Sequence, residues 1–119
     1  MFAYLGSGAL SEPAAVFCDD FRAFENGIQM SGDEFLTLMR KLYTQGRRYR
    51  WSVTSPRVEL QGSLAVVVHV NHGEIIEKPG SIPVPASWLE TIVLRREALG
   101  WRIAFIHATR TKETMSSAA

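Results

Sequence analysis

The 119 residues carry 13 Lys and Arg against 12 Asp and Glu, with 46% hydrophobic and 21% charged residues, which describes one globular domain of near-neutral charge. The charges are scattered, so no basic stripe suits nucleic acid or an anionic membrane surface, and the longest apolar run, Leu64 to Val68, is far short of the roughly 20 residues a membrane helix needs. Cys18 is the single cysteine, so no internal disulfide forms, and the first residues lack the basic start of a secretory signal; the expected location is the cytoplasm.

Ser11, followed by Glu12 and Pro13, predicts a short helix from Ser11 to Asp19, because a proline in the first turn gives up an N–H that has no helical partner. Phe21 to Glu25 and Ile28 to Met30 flank Asn26-Gly27, a pair that accepts the positive φ angles of a type I′ turn, and predict a small hairpin. Ser31 then predicts a helix cap. Phe35, Leu36, Met39 and Leu42 recur at helical spacing as far as Tyr43, with Asp33 and Glu34 early and Arg40 and Lys41 late, before Gly46 stops the helix. Beyond Arg47 the pattern turns to strands: Arg48 to Gln61 and Leu64 to Ile75 about Gly62-Ser63, then Ser87 to Arg96 and Trp101 to Arg110, with a Gly- and Pro-rich loop from Glu77 to Pro85 between the pairs. A single domain over residues 1–110 is expected, with a detachable polar tail at 111–119.

A regular last hairpin with Arg96 opposite Trp101 would pair Leu94 with Ile103, Ile92 with Phe105 and Glu90 with His107, placing an acid beside an imidazole at the end of an apolar face. In the hairpin before it, Leu60, Val58 and Pro56 would oppose Ala65, Val67 and His69, with Asn71 beyond. The opposite face would carry Val66, Val68, Val70, Thr91, Val93, Ala104, Ile106 and Ala108. Both faces are thus apolar, and two short helices cover only one, so the other is expected to meet a second copy of the chain.

Ser55-Pro-Arg-Val-Glu-Leu-Gln-Gly62, Ala65-Val-Val-Val, Glu90-Thr-Ile-Val-Leu-Arg-Arg and Gly100-Trp-Arg-Ile-Ala-Phe-Ile-His107, in that order, resemble the C-terminal half of an NTF2-like domain. The similarity is greatest to SnoaL-like proteins and to the association domain of calcium/calmodulin-dependent kinases, and it extends over roughly residues 12–110. The resemblance implies an α+β cone: a curved antiparallel sheet packed on short helices, a pocket at the wide end and dimerisation through the convex sheet face. Only about ten residues precede Ser11, so the first helix of the family is expected to be short or missing. Where the kinase domain lines its pocket with arginines, the aligned positions here are Asn71 and Ile92.

Glu90 and His107 are the first candidates for chemistry, since a carboxylate beside an imidazole can orient the ring for general base work or anchor a ligand; a purely structural polar pair would look the same. Glu25 stands near the position at which the steroid isomerase branch of the superfamily resembled here carries its carboxylate base. Against that, it could be an exposed hairpin residue. Trp51 and Trp88 could wall a pocket for a flat organic molecule, with His69, Asn71 and Arg110 as polar contacts, while Trp101 reads as a core anchor. No metal or cofactor is implied, because His69 and His72 are three apart on a strand and point to opposite faces. The functional expectation is a homodimeric domain binding a small hydrophobic molecule. The alternatives are an isomerase, cyclase or dehydratase moving a proton on a hydrophobic carbonyl compound, and an oligomerisation module.

Overall fold

The computed structural model describes residues 16–111. Strand β1 (Phe17–Glu25) and β2 (Ile28–Ser31) form a hairpin, helix α1 (Gly32–Thr44) follows, and β3 (Arg48–Gln61), β4 (Leu64–Ile76), β5 (Val84–Glu97) and β6 (Gly100–Arg110) complete the chain. The six strands form one sheet in the order β2-β1-β6-β5-β4-β3. All neighbours are antiparallel except β1 and β6, which run parallel. The helix expected from Ser11 to Asp19 lies in part outside the described residues; within them, Phe17 to Asp19 are strand. Alternation decides this. Phe17, Phe21 and Ala23 all face the core, and their rings and methyl pack beneath α1.

The local turn chemistry produces the elements it implies. Asn26 and Gly27 take φ values of 50° and 85°, the pair of positive angles a type I′ turn requires. Ser31 closes a full capping box: its Oγ accepts from the Glu34 amide at 3.2 Å, and its own amide donates to Glu34 Oε1 at 2.9 Å. The apolar stripe of α1 lies over β1, where Phe35 meets Phe17 and Phe21 with ring centroids 6.5 and 5.5 Å away. The core is thus a layer between α1 and the inner sheet face, centred on Ile92, Ile103 and Ile106.

Two bulges set which side chains share that face. In β6, Leu94 pairs with Ile103 but Val93 pairs with Phe105, so Ala104 is an extra residue. Every β6 side chain beyond it therefore changes side relative to a regular hairpin. Ile92 opposes Ile106, not Phe105, and Glu90 opposes Ala108, not His107. Ile106 and Ala108 consequently belong to the buried inner face, whereas Phe105 and His107 stand on the outer one. In β3, Thr54 pairs with Val70 and Arg57 with Val68, so Ser55 and Pro56 together oppose His69. Proline suits this bulge on an edge strand because it has no N–H to pair. Trp101 is also relocated: the residue is 39% exposed, with the Arg96 guanidinium 5.8 Å from its ring centroid, and it anchors no core.

Candidate functional site

The registers place a polar row across four adjacent strands of the inner face. Glu25 of β1 and Glu90 of β5 are both partners of Ala108 on β6, and Glu90 is in turn the partner of His69 on β4. Two strand spacings separate the carboxylate-bearing backbones by about 10 Å, and the methyl of Ala108 leaves the ground between them open. The hairpin turn holds this row in place. Asn26 donates its backbone N–H to the Ala108 carbonyl at 2.9 Å, and its Oδ1 accepts from the Arg110 amide at 2.6 Å, so the end of β1 is tied to β6 beside Glu25.

Glu25 and Glu90 line a narrow cleft with Phe35, Met39, Tyr49, Trp51, Trp88 and Ile106; its cavity volume is about 60 Å³. Tyr49 and Trp51 stack at 4.8 Å with their planes 13° apart, and the Trp88 ring stands edge-on 5.1 Å from Trp51. The sheet makes room for these rings. Trp51 shares its row with Gly73 and Ala86, two small residues, and a Cβ on Gly73 would run into the Arg50 carbonyl.

The cleft raises the proton affinity of its acids. Burial pushes the Glu25 carboxyl up to about 7, with the nearby Glu90 carboxylate adding to the shift. Burial also pushes Glu90 up to about 7, while the Asn71 amide works in the opposite direction by stabilising its carboxylate. His69 Nε2 lies 2.7 Å from Glu90 Oε1, and burial lowers the pKa of this ring below its usual value. Among the described residues no Lys or Arg lines the cleft, and no group of three or more His, Cys, Asp and Glu could hold a metal ion. Two acids of tuned pKa among aromatic rings can give and take protons near neutrality, or meet a positive charge.

Of the residues singled out from sequence, Glu25, Glu90, Trp51 and Trp88 come together in this cleft. Asn71 is fully buried on the same inner face beside Trp88, and His69 backs Glu90. His107 does not join them. It is exposed on the outer face, its ring 5.6 Å from Phe24 and 6.4 Å from Phe105, and the Ala104 bulge is the reason. Arg110 is exposed at the end of β6 and borders a separate shallow groove with His72 and Ser87. Phe35, Met39, Tyr49 and Ile106 also line the cleft. The helical spacing of Phe35 and Met39 marked them as facing the sheet, but Ile106 was hidden by the bulge.

No family model matches the chain, and no curated protein does. Solved structures are similar. A protein of Streptomyces avermitilis from the NTF2-like family, provisionally named a dehydratase, superposes with a TM-score of 0.79 at 18% identity, over 93% of this chain and 88% of that one. An NTF2-like protein of unknown function in nutrient uptake from Rhodospirillum rubrum gives 0.76 at 18%, over 93% and 92%. The calcium/calmodulin-dependent kinase II hub homology domain of Chlamydomonas reinhardtii gives 0.73 at 21%, over 93% and 90%. With one helix packed on a six-stranded sheet among the described residues, the chain has the NTF2-like fold, which kinase association and hub domains share.

Proposed function

We propose that the chain is a self-association domain whose outer sheet face meets a second copy of itself. The observation that carries this reading is the outer face: Val66, Val68 and Val70 on β4 stand beside Leu89, Thr91 and Val93 on β5. Val68 is 47% and Leu89 48% exposed, at the centre of a sheet where a monomer gains nothing by showing them to water. Phe105 of β6 extends the patch, and Arg57 and Glu59, of opposite sign, stand at its β3 margin, as a self-complementary surface requires. The likeness to kinase hub and association domains supports the same reading. Sedimentation velocity tests it: the wild-type chain is expected to sediment as a dimer or larger ring. Leu89→Lys should shift it to a monomer that is still folded by circular dichroism, because this side chain is outside the core. A wild-type monomer at all concentrations would refute the reading.

The inner cleft supports a second function, the binding of a small molecule between Glu25, Glu90, Trp51 and Trp88. The observation favouring it is that two acids are held at costly, partly desolvated positions, which a scaffold alone does not require. An isomerase, cyclase or dehydratase acting on a hydrophobic carbonyl compound would use the same pair. Glu25 would take a proton beside the carbonyl, and protonated Glu90 would donate a hydrogen bond to its oxygen. Simple binding is better supported. Binding asks less of the site: beyond protonated Glu90, no Lys or Arg lines the cleft among the described residues to help stabilise the oxyanion such a reaction builds. Ligand-observed magnetic resonance with a fragment set should show binding that Trp88→Ala abolishes, and silence across the set would sink this second reading.

A further inference from the structure

The lining of the inner cleft has two unlike components, an acidic pair and an aromatic wall. Glu25 and Glu90 flank Ala108 on one side. The stacked rings of Tyr49 and Trp51, with Trp88 edge-on to them, form the other. Phe35, Met39 and Ile106 close the remainder with apolar groups, and the lining contributes no positive charge among the described residues. An anion placed here would face two carboxylates with no counter-charge. A neutral apolar molecule would leave both acids buried without a partner beyond His69 and Asn71. A cation is attracted by both walls, by the negative faces of the rings and, once the acids release their protons, by the carboxylates. We infer that the cleft binds a small organic ammonium ion, held between the Tyr49, Trp51 and Trp88 rings and the Glu25 and Glu90 carboxylates.

The inference rests on the reading of the cleft as a ligand site and adds the charge and size of the occupant. A cavity of about 60 Å³ admits a methylated ammonium head or a primary amine, not a multi-ring hydrophobe. Burial raises both carboxyls to about 7, so the empty site carries protons near neutrality and must release them to meet a cation. Binding therefore strengthens with rising pH. The groups that bear on this are Glu25 from β1, Glu90 from β5, His69 behind it on β4 and Tyr49 from β3; β6 and α1 contribute only Ile106, Ala108, Phe35 and Met39.

Choline and its uncharged carbon isostere 3,3-dimethylbutan-1-ol separate charge from shape, and choline keeps its charge at every pH used. Titration calorimetry on the full chain should show choline bound about tenfold more tightly than the isostere, a ratio in the range of one cation–π and ionic contact. Choline affinity should rise by about tenfold or more between pH 5.5 and pH 8, and Glu25→Gln should remove about half of that rise on a logarithmic scale, because Glu90 still titrates. If the isostere binds as well as choline, or if choline binding ignores pH, the cation inference is overturned and the cleft survives as a ligand site. If neither molecule binds, while a neutral fragment does, the cation inference again fails alone. Failure of every probe, with the protein folded by circular dichroism, overturns both readings.

Discussion

His69 Nε2 and Glu90 Oε1 lie 2.7 Å apart on adjacent strands, with only 2% and 7% of their side chains exposed. Burial lowers the pKa of the imidazole and raises that of the carboxyl, so both shifts run toward the uncharged forms. Below about pH 7 the contact therefore joins a protonated carboxyl to the ring, which avoids the desolvation of two full charges. It also fixes one carboxyl of the cleft in place, and the other, Glu25, completes the row across Ala108.

Stability should fall as pH rises from about 4.5 to about 7. Glu25 and Glu90 hold protons in the folded state up to about 7, whereas their ordinary value is 4.5. Between those values the folded state binds more protons than the unfolded one, so this contribution is full below 4.5 and lost above about 7. His69, with its lowered pKa, acts in the opposite direction below its ordinary 6.5, and the two carboxyls outweigh it. Urea unfolding near pH 5 and pH 8 should differ by about 2 kcal/mol or more. Glu25→Gln should remove about half of that difference; an unaltered pH dependence in this variant would contradict the burial of Glu25.

Trp88→Ala should cost about 3–5 kcal/mol in urea unfolding, since the ring is 6% exposed and supports Trp51 and Tyr49. Trp88→Phe should cost clearly less. Equal losses would mean that the indole does not wall the cleft.

Gly73→Ala tests the close approach of β3 to β4. The added methyl would meet the Arg50 carbonyl, a backbone atom that cannot swing aside. A loss of about 1–3 kcal/mol is expected despite the small size of the change. A neutral substitution, measured by thermal melting, would show that the strands are further apart there.

Ser31→Ala removes one half of the capping box and should lower stability by about 1 kcal/mol. Ser31→Asp should restore most of it by accepting the same Glu34 amide. Absence of rescue would point to a role for Ser31 beyond the cap.

Local chemistry made much of the fold legible. Asn26-Gly27 announces its turn because few other pairs accept two positive φ angles, and Ser31 with Glu34 announces a helix start through a reciprocal hydrogen bond. The Ala104 bulge has no such mark. An alanine carries neither the backbone freedom of glycine nor the missing donor of proline, so a regular hairpin is the natural reading and it inverts every β6 residue beyond the bulge. That single inversion removed His107 from beside Glu90, where the β4–β5 register supplies His69 instead, and moved Ile106 from the outer face to the cleft. The β3 bulge does carry a signal, Pro56 inside a strand. Glu25 was the hardest to read, because its burial depends on α1 and on aromatic residues of β3 and β5 distant in sequence.

Native mass spectrometry of the gently purified chain tests the account most directly, since it weighs the assembly and any retained molecule together. The outer-face reading predicts a dimer or larger ring that Leu89→Lys reduces to a single chain, and the cleft reading predicts that added choline is retained by the wild type and lost on Glu25→Gln. A wild-type chain that flies only as a monomer would contradict the central claim that Val68 and Leu89 are exposed to meet another copy.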